Sequence, residues 1–287
     1  MRTTGNSQIA RLFALRWTGQ LTDGIFQSGL ASFILFSPER QSNALAAAIA
    51  FAIVLLPYSI VGPFVGTILD RISRQRILLF ANLFRGSLVI IVAILISNGA
   101  TGLPMTLLVL AAFGINRLIL AGLSAALPLL VMSDQKRKHR LVAINATAVT
   151  GGTVFVVLGG GIGIGLRNLL ADLEANRADG AVVATASLGF FLAALSALLL
   201  RKEALGPAAE EREGGKEKIS FLNGLHEMQD GFRRLRSLSD ALLGIVATGV
   251  HRGGLTALTL MALLLQRNSF NDSDQPNQGL AGFALAA

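Results

Sequence analysis

The sequence predicts an all-α integral membrane protein, and three observations carry that prediction. Of its 287 residues, 52% are hydrophobic and only 15% are charged, for a mean hydropathy of +0.60. A soluble domain needs about 25% charged residues. The charges gather in a few segments, and the apolar runs between them exceed the roughly 18 to 20 residues that cross hydrocarbon. A membrane β-barrel is excluded because its strands would alternate over only about 10 residues.

The net charge of +8 raises the question of nucleic acid, but its distribution excludes that partner. Eighteen of the 25 Lys and Arg residues fall in alternate segments: near the N-terminus, around residues 71–76, around 136–140, and between 201 and 236. Only Arg40, Arg167, Arg177 and Arg267 occupy the intervening loops, while Arg85, Arg117 and Arg252 lie inside apolar runs. This positive-inside asymmetry places the N-terminus in the cytoplasm. There is no cysteine, and the histidines, His139, His226 and His251, are scattered, so neither a metal nor a cofactor is expected. No nucleophile, base and third-group constellation appears, and an enzyme is not expected.

The first span runs from about Ile9 to Phe36. It retains Asp23 and has no small-residue cleavage site, so it reads as a helix rather than a signal peptide. Gln20, Asp23 and Gln27, at i, i+3 and i+7, share one helix face. A polar stripe facing lipid is costly, so it should face the protein interior or a hydrated path. An outer loop, Ser37 to Asn43, leads to a second span from about Ala44 to Leu69, kinked near Pro57 and Pro63. The charged turn GTILDRISRQRIL, Gly66 to Leu78, follows.

The third span, about Ile77 to Ile96, buries Arg85; the fourth, about Met105 to Met132, buries Asn116 and Arg117. A second basic inner loop, SDQKRKHR, precedes a glycine-rich fifth span from about Leu141 to Leu166. Gly159 with Gly163, and Gly161 with Gly165, give the small-xxx-small spacing that lets helix backbones approach, and Gly152 lies in the same stretch. The run GGGIGIG imitates a nucleotide loop, but no strand precedes it, so helix packing is the reading. No GxxxxGK[ST] sequence occurs. An outer loop with Asp172, Glu174 and Asp179 leads to a sixth span from about Ala181 to Leu200.

Residues 201–236 form a charged linker with eight basic and seven acidic residues. Its second part carries Leu225, Met228, Phe232 and Leu235 at helical spacing, with Ser220 as N-cap, predicting an amphipathic helix on the inner membrane surface. The seventh span, about Leu238 to Leu265, contains His251 and Arg252. GLAGFALAA then resembles the opening of an eighth span, too short to cross.

Six spans, a charged inner linker and a new set beginning at the seventh resemble the major facilitator superfamily of transporters. The turn at Gly66 to Leu78 is similar to that family's loop signature, Gly-x-Leu-x-Asp-Arg-x-Gly-Arg-Lys/Arg, with Gly66, Asp70, Arg71, Arg74 and Arg76 at its positions and Ser73 in place of the second glycine. Arg117 resembles the family's intramembrane arginine motif, and the glycine run its antiporter motif without Gly-Pro. Stretches such as QLTDGIFQSGLASFILFSPERQ are similar to bacterial efflux members, in the branch of the enterobactin exporter and macrolide efflux proteins.

The resemblance implies a major facilitator type helical bundle: residues 1–200 as the N-terminal six-helix half, 201–236 as the cytoplasmic linker, and 237–287 as the start of the C-terminal half. It implies a bacterial inner-membrane secondary transporter exporting a small organic molecule, drug- or siderophore-like, by proton antiport with alternating access. The expected partners are membrane lipid, substrate, protons and a complementary C-terminal half, since the family has twelve spans and this chain is expected to be truncated after about seven. A non-transporting remnant and an importer or lipid-moving relative stay open as alternatives.

Each expected site residue has two readings. Gly66, Asp70, Arg71, Arg74 and Arg76 form a gating latch or simply fix topology. Asp23 and Arg117, both near the midplane, form a pair or share a hydrated cavity, serving as proton or substrate site or as a permanent structural pair. Gln20 and Gln27 extend that polar face. Arg85 and Arg252 bind an anionic substrate group or hydrogen-bond carbonyls at a helix break.

Overall fold

The computed structural model describes residues 3–30, 65, 68–69, 72–100, 102–132, 141–201, 205–206 and 221–265. The second expected span, Gly66, Asp70, Arg71, the second basic inner loop, most of the linker and the final apolar stretch lie outside them. The described residues form seven α-helices and no strand: α1 (Thr3–Leu30), α2 (Arg74–Ser97), α3 (Leu103–Met132), α4 (Leu141–Leu169), α5 (Ala175–Ala197), α6 (Phe221–Arg236) and α7 (Ser239–Leu265). The fold is that of an all-helical membrane protein, consistent with the major facilitator type. Helices α2 to α5 are long and apolar enough to cross a membrane. Helix α1, of 28 residues, is equally long but carries more polar side chains, and α7 is a further long helix of 27 residues.

These helices fall into two units, α1 to α5 in one and α6 with α7 in the other. In the first unit α1 packs against α4 and α5, and α2 against α5 and α3. Leu12 and Leu15 of α1, Leu78 of α2, and Leu123 and Leu127 of α3 interlock at one end of the bundle, and Leu205 is inserted fully buried among them. Such packing in lipid rests on close van der Waals contact rather than escape from water. The α1–α4 contact shows how: a Cβ on Gly24 would meet the backbone of Val156, Gly159 and Gly160.

Local sequence sets the helix ends. At the end of α2 the Asn98 side chain and backbone N–H both donate to the Ile94 carbonyl, at 2.8 and 3.1 Å. Gly99 then takes φ +69°, the left-handed conformation that glycine adopts without strain, and turns the chain toward α3. Helix α5 begins at Ala175, six residues before the expected start of the sixth span. Asp179, expected in the outer loop, is buried within α5 because Arg167, in the last turn of α4, donates Nε to its Oδ1 at 2.5 Å. The helix stops at Ala197, and Leu198 to Leu200 continue as tight turns onto i−3 carbonyls.

In the second unit, α6 ends on Arg233, Arg234 and Arg236, and α7 begins with Asp240 in its first turn. Both placements complement the helix dipoles, cations at a C-terminus and an anion at an N-terminus. Leu238 N–H donates to the Leu235 carbonyl at 3.0 Å and closes the turn between them.

Candidate functional site

The helical repeat lines up Arg16, Gln20, Asp23 and Gln27 on one side of α1. Arg16 and Asp23 are buried, Gln20 is half-buried and Gln27 is exposed. Helix α2 brings Asn82 and Arg85, both 1% exposed, to the same level, and α3 brings the buried Asn116. Arg16, Gln20, Asp23, Asn82, Arg85 and Asn116, but not Gln27, line a small pocket inside the first unit together with Leu15, Leu120 and Leu123.

At the centre Arg85 Nη2 forms an ion pair with Asp23 Oδ1, with both side chains almost fully enclosed. The same guanidinium lies 4.1 Å from the centroid of the Phe190 ring of α5. Phe26 meets Phe190 and Phe113 edge-on, at centroid distances of 6.3 and 5.9 Å. The arginine of the pair thus rests on the Phe190 ring, which Phe26 in turn meets edge-on. A lone charge at the centre of a membrane helix costs about 2.5 to 3.5 kcal/mol on insertion scales. Mutual neutralisation and the favourable ring face offset part of that cost. Asn82 donates to the Leu78 carbonyl of its own helix at 2.7 Å.

Of the two arrangements expected for Asp23 and Arg117, a pair or a shared hydrated cavity, the pair does not form, because Asp23 is paired with Arg85. The α3 face turned inward carries Ala112, Asn116, Ile119 and Leu123. One residue further, about 100° around the helix, Arg117 is exposed. Arg252 is also exposed, on α7. Asn82 and Phe190 were not singled out from sequence, although Asn82 lies at i−3 from Arg85 and so shares its face.

Three of the expected packing glycines of α4, Gly152, Gly159 and Gly163, look toward α1. A Cβ on Gly152 would meet Gln20, on Gly159 the Leu21 carbonyl, and on Gly163 the Ser28 hydroxyl. Gly161 and Gly165, the other expected pair, are exposed with open space beside them. Of the charged-turn residues, Arg74 and Arg76 are described. Arg74 Nη1 donates to the Leu205 carbonyl at 2.9 Å, and its backbone N–H to the Gly206 carbonyl at 3.4 Å. Gln75 donates to the Ala197 carbonyl at 3.2 Å and Arg11 to the Leu199 carbonyl at 2.8 Å. The α2 N-terminus therefore holds the chain that leaves α5, while Arg76 is exposed.

No family profile matches the chain. It is 34% identical over 260 residues to uncharacterized MFS-type transporters of Mycobacterium bovis and Mycobacterium tuberculosis, covering 90% of this chain and 56% of each relative. It is 26% identical over 231 residues to macrolide efflux protein A of Streptococcus pyogenes, covering 77% of this chain and 50% of that protein. The chain spans about half the length of these relatives. Together with the helical bundle, they support a multi-pass membrane protein that is similar to MFS-type transporters over the part of those proteins that it spans.

Proposed function

We propose that the protein is a secondary active transporter that exports a small organic molecule, drug- or siderophore-like, by proton antiport with alternating access. The observation that carries the reading is the Asp23–Arg85 pair, a carboxylate and its counter-ion enclosed in a pocket between α1, α2 and α3, with the guanidinium against the Phe190 ring of α5. A carboxylate tied to arginine releases and takes up a proton usefully when the pairing loosens in one conformation and reforms in the other. In this reading Asp23 is the coupling group, Arg85 its counter-ion, and Gln20, Gln27, Arg117 and Arg252 belong to the substrate path.

Gly66, Asp70, Arg71, Arg74 and Arg76 act as the gate, with a complementary C-terminal half supplying the opposing wall. Substrate binds between the halves near the midplane, as in transporters built of repeated helical halves. The chain lies in a bacterial inner membrane with its N-terminus in the cytoplasm, a placement supported by the alternation of basic segments. The similarity to macrolide efflux protein A makes a macrolide the first substrate to try.

The test is accumulation of a labelled macrolide and of a catecholate siderophore in efflux-deficient bacteria producing the chain, alone and with the second half of a relative. Lower accumulation that is abolished by an uncoupler and by Asp23→Asn supports proton-coupled export. Accumulation unchanged by the chain in every combination rejects it.

A further inference from the structure

A second pocket lies outside the polar site, at the end of the bundle where α2 begins. It is an open groove of about 300 Å³ between α2 and α3, walled by Ile72, Phe80, Ala81, Phe84 and Leu118. Among the described residues, Arg76 is the only charged side chain that lines it. Phe80 and Phe84 are 62% and 60% exposed, so two large rings stand beside the groove.

Arg76, Phe80 and Phe84 follow one another at i, i+4 and i+8, on the same line of the helix. The groove thus extends about 12 Å along the helix from a cation in the first turn. It opens outward: Asn82, which lines the Asp23 pocket, is about 200° around α2 from Phe80. Arg74 is engaged with the Leu205 carbonyl, whereas Arg76 makes no ion pair with any described residue.

We propose that this groove binds an anionic phospholipid, with one acyl chain lying along Phe80 and Phe84 and the headgroup phosphate on Arg76. A concave apolar wall contacts a chain on more than one side, where a flat helix face contacts it on one, so dispersion favours retention. The cation at the mouth selects charge, as basic pockets between membrane helices select anionic headgroups. Among the described residues, no acidic side chain lines the groove to oppose the phosphate. The site goes beyond the transport reading and needs only that the bundle sits in a membrane.

The experiment uses the purified full chain in neutral detergent, titrated with phosphatidylglycerol or phosphatidylcholine of identical acyl chains, with bound lipid counted by native mass spectrometry. Inorganic phosphate alone is a separate arm, read by thermal shift. Wild type is expected to retain phosphatidylglycerol about fivefold better than phosphatidylcholine, the factor one basic residue contributes at an anionic surface. Arg76→Gln should erase the preference while still binding phosphatidylcholine, and Ala81→Phe, which fills the groove, should lower retention of both lipids. Arg177→Gln, exposed in the first turn of α5 at the opposite end, should leave the preference intact. Equal retention of the two lipids by wild type, a preference undiminished in Arg76→Gln, or phosphate alone binding as well as the lipid overturns the proposal. If Arg76→Gln fails to fold by circular dichroism, the wild-type comparison and Ala81→Phe decide. These readouts are independent of transport, so a protein that moves no substrate still passes or fails them.

Discussion

Asp23 of α1 and Arg85 of α2 form an ion pair that is almost completely enclosed, with the Arg85 guanidinium also resting on the Phe190 ring. Burying two charges gains little net stability, but stranding one of them costs about 3 to 5 kcal/mol. Arg85→Met and Asp23→Leu should each destabilise the bundle by that order, and the double substitution should recover most of the loss. Unfolding of the four proteins in micelles gives the coupling directly. Additive losses would mean that the two groups do not depend on each other.

The glycines of α4 make a prediction that separates two neighbouring positions. Gly159→Ala places a methyl against the Leu21 carbonyl and should destabilise by about 1 to 3 kcal/mol, the usual cost of overpacking. Gly161→Ala meets nothing and should stabilise by about 0.5 to 1 kcal/mol through helix propensity. Thermal unfolding of the two variants checks this, and similar shifts in both would show that α4 does not seat on α1 as described.

Much of the helical layout is legible from residues alone, because long apolar runs bounded by charge leave few alternatives. The polar stripe on α1 is equally legible from its i, i+3, i+7 spacing. What the stripe meets is not. Arg85 and Arg117 are both arginines inside apolar runs, and only the rotation of α2 and α3 about their axes turns one inward and the other out. The start of α5 is hidden in the sequence for a related reason: Asp179 reads as a loop residue, and its neutralisation depends on Arg167 of the preceding helix.

A third prediction concerns the chain leaving α5. Gly206 has φ +57°, and a Cβ there would lie 3.1 Å from both Arg74 Nη1 and Leu129 Cδ1. Gly206→Val should therefore cost about 1 to 3 kcal/mol through backbone strain. Leu205→Asp, which places a charge in the apolar cluster, should cost at least as much. Limited proteolysis should cut both variants faster than wild type near residue 205; unchanged rates would show that this contact does not restrain the segment.

The gate reading predicts a different pattern at Asp70. Asp70→Asn should reduce export at least about tenfold while membrane insertion and thermal stability stay at the wild-type level, since its role is to favour one conformation. Quantified export alongside membrane abundance separates the outcomes. Full export by Asp70→Asn would leave the basic turn with topology as its role.

The most direct test of the account is substrate-driven proton movement in inverted membrane vesicles, followed with a pH-sensitive dye, for wild type and Asp23→Asn at matched abundance. Addition of a transported substrate should release protons from the acidified lumen of wild-type vesicles and release none with Asp23→Asn. Proton release of equal size in the two would contradict the assignment of Asp23 as the coupling group.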